Sequence, residues 1–247
     1  VKKNDAKLLE AARDGYFEET RKLLKPSFLG LVKAADINAR YQGAVWDGFM
    51  AIHFAAEQGH DIIVRLLLDK GVPVNARTAE GYTPLICAAA KGHFGIVKDL
   101  IRKGANVHAK TRFKYTALHS AAFGDFDDIV QFLLQNKAEV NARASFARTP
   151  LHEAARAGAQ NAVRVLLENG ADVNALATDS TNENGSRTPL KVAALYCNTE
   201  VMGLLMNAGA QFDLEPQGVR ALGQLNSTPS RRFQILKDPG RFPGLGL

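Results

Sequence analysis

The stretch Thr149-Pro150-Leu151-His152-Glu153-Ala154-Ala155, continued by Leu166-Leu167-Glu168-Asn169-Gly170-Ala171-Asp172-Val173-Asn174-Ala175, decides the fold. A threonine hydroxyl can accept from the free amides of a helix's first turn, and a proline at the first helical position loses no hydrogen bond that is needed. Thr149-Pro150 therefore reads as a helix start. The Ala154-Ala155 pair has so little bulk that another helix can approach closely. Gly170 closes the second helix, since glycine takes the left-handed backbone without side-chain cost.

Outward from this unit the same signals return at a step of 33 residues: Leu85, Leu118 and Leu151 follow Thr83-Pro84, Thr116-Ala117 and Thr149-Pro150. The alanine pairs keep that step at Ala55-Ala56, Ala88-Ala89, Ala121-Ala122 and Ala154-Ala155. So do Val74-Asn75, Val107-His108, Val140-Asn141 and Val173-Asn174. A further unit, Thr188-Pro189-Leu190 with Ala193-Ala194, arrives after 39 residues, and a first, longer unit is built on Ala11-Ala12. A fixed period of this size marks a solenoid, in which stacking of neighbours supplies the core that one helix pair cannot. Apolar runs such as Ile62-Ile63-Val64 with Leu66-Leu67-Leu68 supply the second helix of each pair.

These residues resemble the ankyrin repeat, with its Gly-x-Thr-Pro-Leu-His-x-Ala-Ala opening, Gly-His turn, Leu-Leu pair and Gly-Ala-Asp-Val-Asn-Ala close. About six copies span roughly residues 4–213. The resemblance implies an all-α repeat solenoid of helix-turn-helix units with β-hairpin fingers, and a function of binding another protein. Domain organisation is thus expected as a repeat domain over 1–213 and a Pro/Gly-rich tail over 214–247. Repeat one offers a polar outer face through Lys7, Arg13, Glu18, Glu19, Arg21 and Lys22. Repeat six should expose Val201, Met202, Leu204, Leu205 and Met206 unless covered, and Val219-Arg220-Ala221-Leu222 or Phe233-Gln234-Ile235-Leu236 of the tail could form that lid.

Composition agrees with a folded, water-facing chain: 46% apolar and 23% charged residues over 247, with a formal net charge of +6. No run approaches the roughly 18 apolar residues of a membrane span. The start, Val1-Lys2-Lys3-Asn4-Asp5, carries no apolar leader, so the cytosol, or a host cell's cytoplasm or nucleus, is the expected compartment. Cys87 and Cys197 form no CxxC pair and read as buried thiols.

Six histidines invite a search for catalysis or metal. The repeat absorbs them all. His53, His119 and His152 stand where the family's imidazole bonds the hairpin backbone, His60 and His93 fill the Gly-His turn, and His108 replaces the hairpin asparagine. Residues 33 apart stack in a ladder and do not converge. Ser120 beside His119 lacks a third orienting group, and neither a phosphate loop nor a metal motif is present. The expectation is no enzyme, no cofactor and no metal.

Family resemblance places partners across the fingers and the palm formed by the first helices. The fingers carry a basic column at Arg40, Arg77, Lys110 and Arg143, extended by Arg112, Lys114 and Arg148, with no acid between His108 and Thr116 or between Asn141 and Thr149. Aromatic rings interleave: Tyr41, Trp46, Tyr82, Phe113, Tyr115 and Phe146. Aromatic and arginine side chains dominate protein interfaces. Trp46, the single tryptophan, lies beside the insertion Gln42 to Val45 and is expected to be spare of core duties. In the palm, Phe123, Arg156, Leu195 and Tyr196 should face the groove. The expected partner is an acidic and apolar segment bound by a monomer acting as adaptor, inhibitor or host-targeted effector. The other class is nucleic acid or an anionic surface bound by the basic fingers. Asn75, Asn141 and Asn174 match hairpin positions that asparaginyl hydroxylases modify in the family.

Overall fold

A computed structural model describes residues 3–25, 34–43, 46–178 and 186–211. Among them run twelve helices: α1 (Lys3–Asp14), α2 (Phe17–Leu23), α3 (Ala51–Gln58), α4 (Asp61–Asp69), α5 (Pro84–Ala90), α6 (Phe94–Arg102), α7 (Ala117–Phe123), α8 (Asp127–Gln135), α9 (Pro150–Ala157), α10 (Gln160–Glu168), α11 (Pro189–Leu195) and α12 (Thr199–Asn207). The odd-numbered helices stack on one another as an inner row, and the even-numbered ones form an outer row behind them. The fold is the all-helical repeat solenoid expected from the 33-residue step.

The row spacing follows from side-chain size. Ala55, Ala56, Ala88, Ala89, Ala121, Ala122, Ala154 and Ala155 are all fully buried between successive inner helices. Larger side chains, Ile63, Leu67, Leu100, Leu133 and Leu166, close the seam with the outer row. The threonine-proline starts work as read. Thr83 Oγ1 accepts from the Ile86 amide at 3.3 Å, and Thr188 Oγ1 accepts from the Lys191 amide at 3.3 Å.

Between repeats the chain forms fingers joined edge to edge. Rungs within fingers include Thr78 N–H to Tyr82 O at 3.0 Å, Thr111 N–H to Tyr115 O at 2.9 Å and Ala144 N–H to Arg148 O at 2.8 Å. Each finger also donates to the one before: Ala79 N–H to Asp47 O, Arg112 N–H to Glu80 O and Ser145 N–H to Phe113 O. The fifth finger is a short antiparallel pair, β1 (Ala177–Thr178) and β2 (Ser186–Arg187). Fingers are therefore a continuous hydrogen-bonded comb, not independent loops.

Two expectations are corrected. Val201, Met202 and Leu205 of α12 are buried, because α12 packs on both α10 and α11. Leu204 and Met206 are half-buried. The proposed tail lid lies outside the described residues. Cys87 is buried as expected, but Cys197 is exposed, at a turn with φ of 56°. The turn that closes an outer helix uses left-handed Gly71, Gly104, Gly170 and Gly209, yet Lys137 occupies the equivalent place at φ 69°.

Candidate partner-binding surface

The histidines are fixed as structural by their partners. His53 Nε2 lies 3.0 Å from Ala76 O, His119 Nε2 3.2 Å from Arg148 O and His152 Nε2 2.9 Å from Arg187 O. A carbonyl can only accept, so Nε2 carries the proton and Nδ1 is left as an acceptor. The Met50, Thr116 and Thr149 amides donate to it at 3.1, 3.3 and 3.2 Å. Each imidazole thus ties a helix start to the finger that follows its repeat. Burial pushes His53 and His119 down to about 4 and lowers His152, in each case against the opposing pull of the carbonyl bond. His60 and His93 bridge backward, to Arg13 O and Glu57 O, both at 2.9 Å. Among the described residues, no three His, Cys, Asp or Glu side chains come together as a metal set. The hairpin asparagines are also committed. Asn75 bonds Gly104 O and the Asn106 amide, Asn141 bonds Gly170 O and the Asp172 amide, and Asn174 bonds Gly209 O and the Gln211 amide.

The basic column divides in two. Arg40 donates to Arg77 O at 2.7 Å and Gly48 O at 3.3 Å, and Arg77 donates to Lys110 O at 2.6 Å. These guanidinium groups lace fingers together. Arg112 pairs with Glu80 of the preceding finger at 3.2 Å, and Arg148 lies 3.7 Å from Glu153. One acid arrives from the preceding finger, Glu80, and the other from the first turn of α9, Glu153, so the positive field of fingers three and four is weaker than the linear sequence implies. Lys110, Lys114 and Arg143 are exposed at their tips.

The aromatic set divides likewise. Trp46 is half-buried and meets Phe54 and Tyr41 edge-on, at 5.8 and 6.0 Å between ring centres. Phe54 is itself core. Trp46 therefore has the packing role that sequence denied it, and half-buried Tyr41 shares it. Phe113 and Phe146 are exposed on adjacent fingertips, with Phe146 in left-handed backbone at φ 60° and the Arg148 guanidinium 6.0 Å from its ring. Tyr82 is exposed.

The palm brings together residues that are distant in sequence. Glu153, on the first turn of α9, is only 1% exposed. Its Oε1 accepts from the Tyr115 hydroxyl at 2.7 Å, and its Oε2 accepts from Arg156 Nε and Nη2 at 3.0 and 2.8 Å. Burial, and then the Glu153 bond, raise the Tyr115 phenol above its ordinary value, so it remains a donor. The Arg156 guanidinium carbon in turn sits over the Phe123 ring, 4.5 Å from its centre. Phe123 is 46% and Tyr196 55% exposed, beside exposed Leu195. Arg148, Glu153, Arg156, Arg187 and Tyr196 line a cleft between the fifth finger and the palm. Glu153 and Arg187 escaped the sequence reading: a first-turn acid reads as solvent-facing, and Arg187 follows an insertion that breaks the period.

Comparison with known proteins agrees with this architecture. A family model described as ankyrin repeats (3 copies) matches residues 8–111 and again 95–177, and one described as ankyrin repeats (many copies) matches 151–206. The chain is 38% identical over 79 residues to the Probable E3 ubiquitin-protein ligase XBOS32 of Oryza sativa subsp. japonica, covering 32% of this chain and 14% of that protein. It is 41% identical over 58 residues to the Ankyrin repeat and SOCS box protein 3 of Bos taurus, covering 23% and 11%. Against the Homo sapiens protein of that name it is 52% identical over 40 residues, covering 16% and 8%. The chain thus spans under a sixth of the length of these relatives. With the repeat geometry, the matched positions and the stacked core in agreement, the chain belongs to the ankyrin-repeat family.

Proposed function

We propose that this chain binds a partner protein across its palm, from α7 to α11, and the tips of fingers three and four. Ankyrin repeats are generic protein-interaction modules, and no helix among the described residues is long and apolar enough to cross a membrane. The observation that carries the reading is the pair of exposed rings Phe123 and Tyr196, with half-buried Arg156 against the Phe123 ring. Large apolar rings with a stacked guanidinium stand in solvent on a surface whose repeat positions otherwise serve the core. Lys110, Lys114, Arg143, Phe113 and Phe146 are exposed on fingers three and four. An extended or helical segment with acidic and apolar side chains suits that mixture.

The role is that of an adaptor, inhibitor or effector in the cytosol, acting as a monomer with no cofactor or chemistry of its own. The unpaired Cys87 and Cys197 suit that compartment. The relatives' names, an E3 ubiquitin-protein ligase and SOCS box proteins, favour the adaptor among these. Nucleic-acid binding through the fingers is disfavoured by the pairing of Arg112 with Glu80 and Arg148 with Glu153. Affinity capture with the wild type and with a Phe123→Ala, Arg143→Ala, Tyr196→Ala variant tests the proposal. Loss of the captured protein at an unchanged melting temperature is expected, and undiminished capture defeats it. Steeply salt-dependent retention of nucleic acid in its place favours the other class.

A further inference from the structure

We infer that fingertips three and four form a docking surface for an anionic lipid membrane, in which the Phe113 and Phe146 rings enter the headgroup boundary while Lys110, Lys114 and Arg143 meet the lipids' negative charge. The surface overlaps the fingertips of the protein-binding function proposed above but does not depend on that function.

The rings are the first ground. Phe113 and Phe146 hold the same place in consecutive fingers, 33 residues apart, where finger two has Glu80. They are 55% and 47% exposed, and neither belongs to the hydrophobic core. The Ser145 N–H to Phe113 O bond joins the two tips, and the Thr111–Tyr115 and Ala144–Arg148 rungs close each finger beneath its ring. Both rings are therefore carried into water on a backbone that is already fixed.

Strain in that backbone is the second ground. Where finger two turns on Gly81, finger three turns on left-handed Lys114 at φ 60°, and finger four on two such residues in succession, Phe146 at 60° and Ala147 at 55°. Glycine or asparagine meets those angles at less cost. A phenylalanine that is both strained and half in water adds little to folding, and backbone outliers of this kind gather where ligands are gripped.

The charge around the rings selects the ligand. Neither 109–115 nor 142–148 contains an acid, and Glu80 and Glu153, which reach Arg112 and Arg148, are engaged by those arginines. Lys110, Lys114 and Arg143 are exposed and hold no ion pair among the described residues. Apolar insertion and basic attraction are each weak at a bilayer surface, and together they anchor a protein to anionic lipid. A nucleic acid would instead need a continuous track of cations, of which Arg112 and Arg148 are already paired. A peptide favours a recess, whereas these rings stand at turn ends and neither lines the cleft between the fifth finger and the palm.

The test is co-sedimentation of the full chain with vesicles of phosphatidylcholine and phosphatidylserine, and with vesicles of phosphatidylcholine alone. The wild type should sediment with the mixed vesicles and stay in solution with the neutral ones. A Lys110→Gln, Lys114→Gln, Arg143→Gln variant should bind the mixed vesicles about fivefold more weakly for each charge removed. A Phe113→Ser, Phe146→Asn variant should lose at least about tenfold, at a melting temperature no lower than that of the wild type. A Phe146→Trp variant, which keeps an aromatic ring at the tip, should add to the Trp46 emission a component that brominated acyl chains in the mixed vesicles quench. No sedimentation with the mixed vesicles, equal sedimentation with both kinds, a ring variant that binds as the wild type does, or an added emission that brominated chains leave unquenched overturns the membrane surface. Retention of a single-stranded oligonucleotide, with the vesicles unbound, overturns it in favour of nucleic acid. Affinity capture is carried out without lipid, so a failed capture leaves vesicle binding standing, and failed vesicle binding leaves capture standing.

Discussion

Acid should unfold this protein through its buried histidines, and by a calculable amount. His53 and His119 titrate at about 4 in the folded chain, because burial removes the water that would solvate the imidazolium. In the unfolded chain they return to about 6.5. The unfolded state therefore binds more protons throughout that window, so stability is fully present above about pH 6.5 and is lost as the pH falls toward 4. Between pH 7.5 and 5.5 each of the two is worth about 1.3 kcal/mol, and together they are worth about 2.5 to 3. His152 acts in the same direction. That is a substantial part of the roughly 5–15 kcal/mol by which a domain is stable. The assay is urea unfolding at the two pH values for the wild type and for His119→Gln. The wild type should lose about 3 kcal/mol and the variant about 1.3 kcal/mol less, whatever its stability at pH 7.5. Equal losses, or a wild type as stable at pH 5.5 as at 7.5, would refute the argument.

Three further substitutions follow from the structure. Glu153→Ala strands the Tyr115 hydroxyl and Arg156, and should cost about 2 kcal/mol in chemical unfolding, less than the 3–5 typical of a broken buried pair because Arg156 still reaches water. Lys137→Gly relieves a left-handed lysine where Gly71, Gly104, Gly170 and Gly209 serve the other repeats; it should stabilise by about 1 kcal/mol, read as a higher melting temperature. Arg77→Ala removes a charged bond from finger two to the Lys110 carbonyl, and should cost about 1 kcal/mol while hydrogen exchange quickens in finger three.

What the sequence made legible is whatever the repeat states locally. Thr83, Thr188, the alanine pairs and His53, His119 and His152 occupy slots whose partners lie at a fixed step, so identity and spacing predict their contacts. Site residues obey no such step. Glu153 is buried where Tyr115, 38 positions earlier, and Arg156 close over it, an arrangement found in one repeat among the described residues. Glu80 reaches Arg112 across a finger boundary, which turns an apparently uncompensated basic run into a partly paired one. Trp46 sits beside an insertion and looks spare until Phe54 and Tyr41 meet it in space. Deviations from the period make the contacts that differ from repeat to repeat, and the period cannot place them.

The most direct test of partner binding at the palm is hydrogen exchange on the purified complex with its captured protein. Protection should concentrate at the C-terminal ends of α7, α9 and α11 and in fingers three and four, with α4, α6, α8 and α10 exchanging as in the free chain. Protection confined to those outer helices, with the palm and fingers unaltered, would contradict the account.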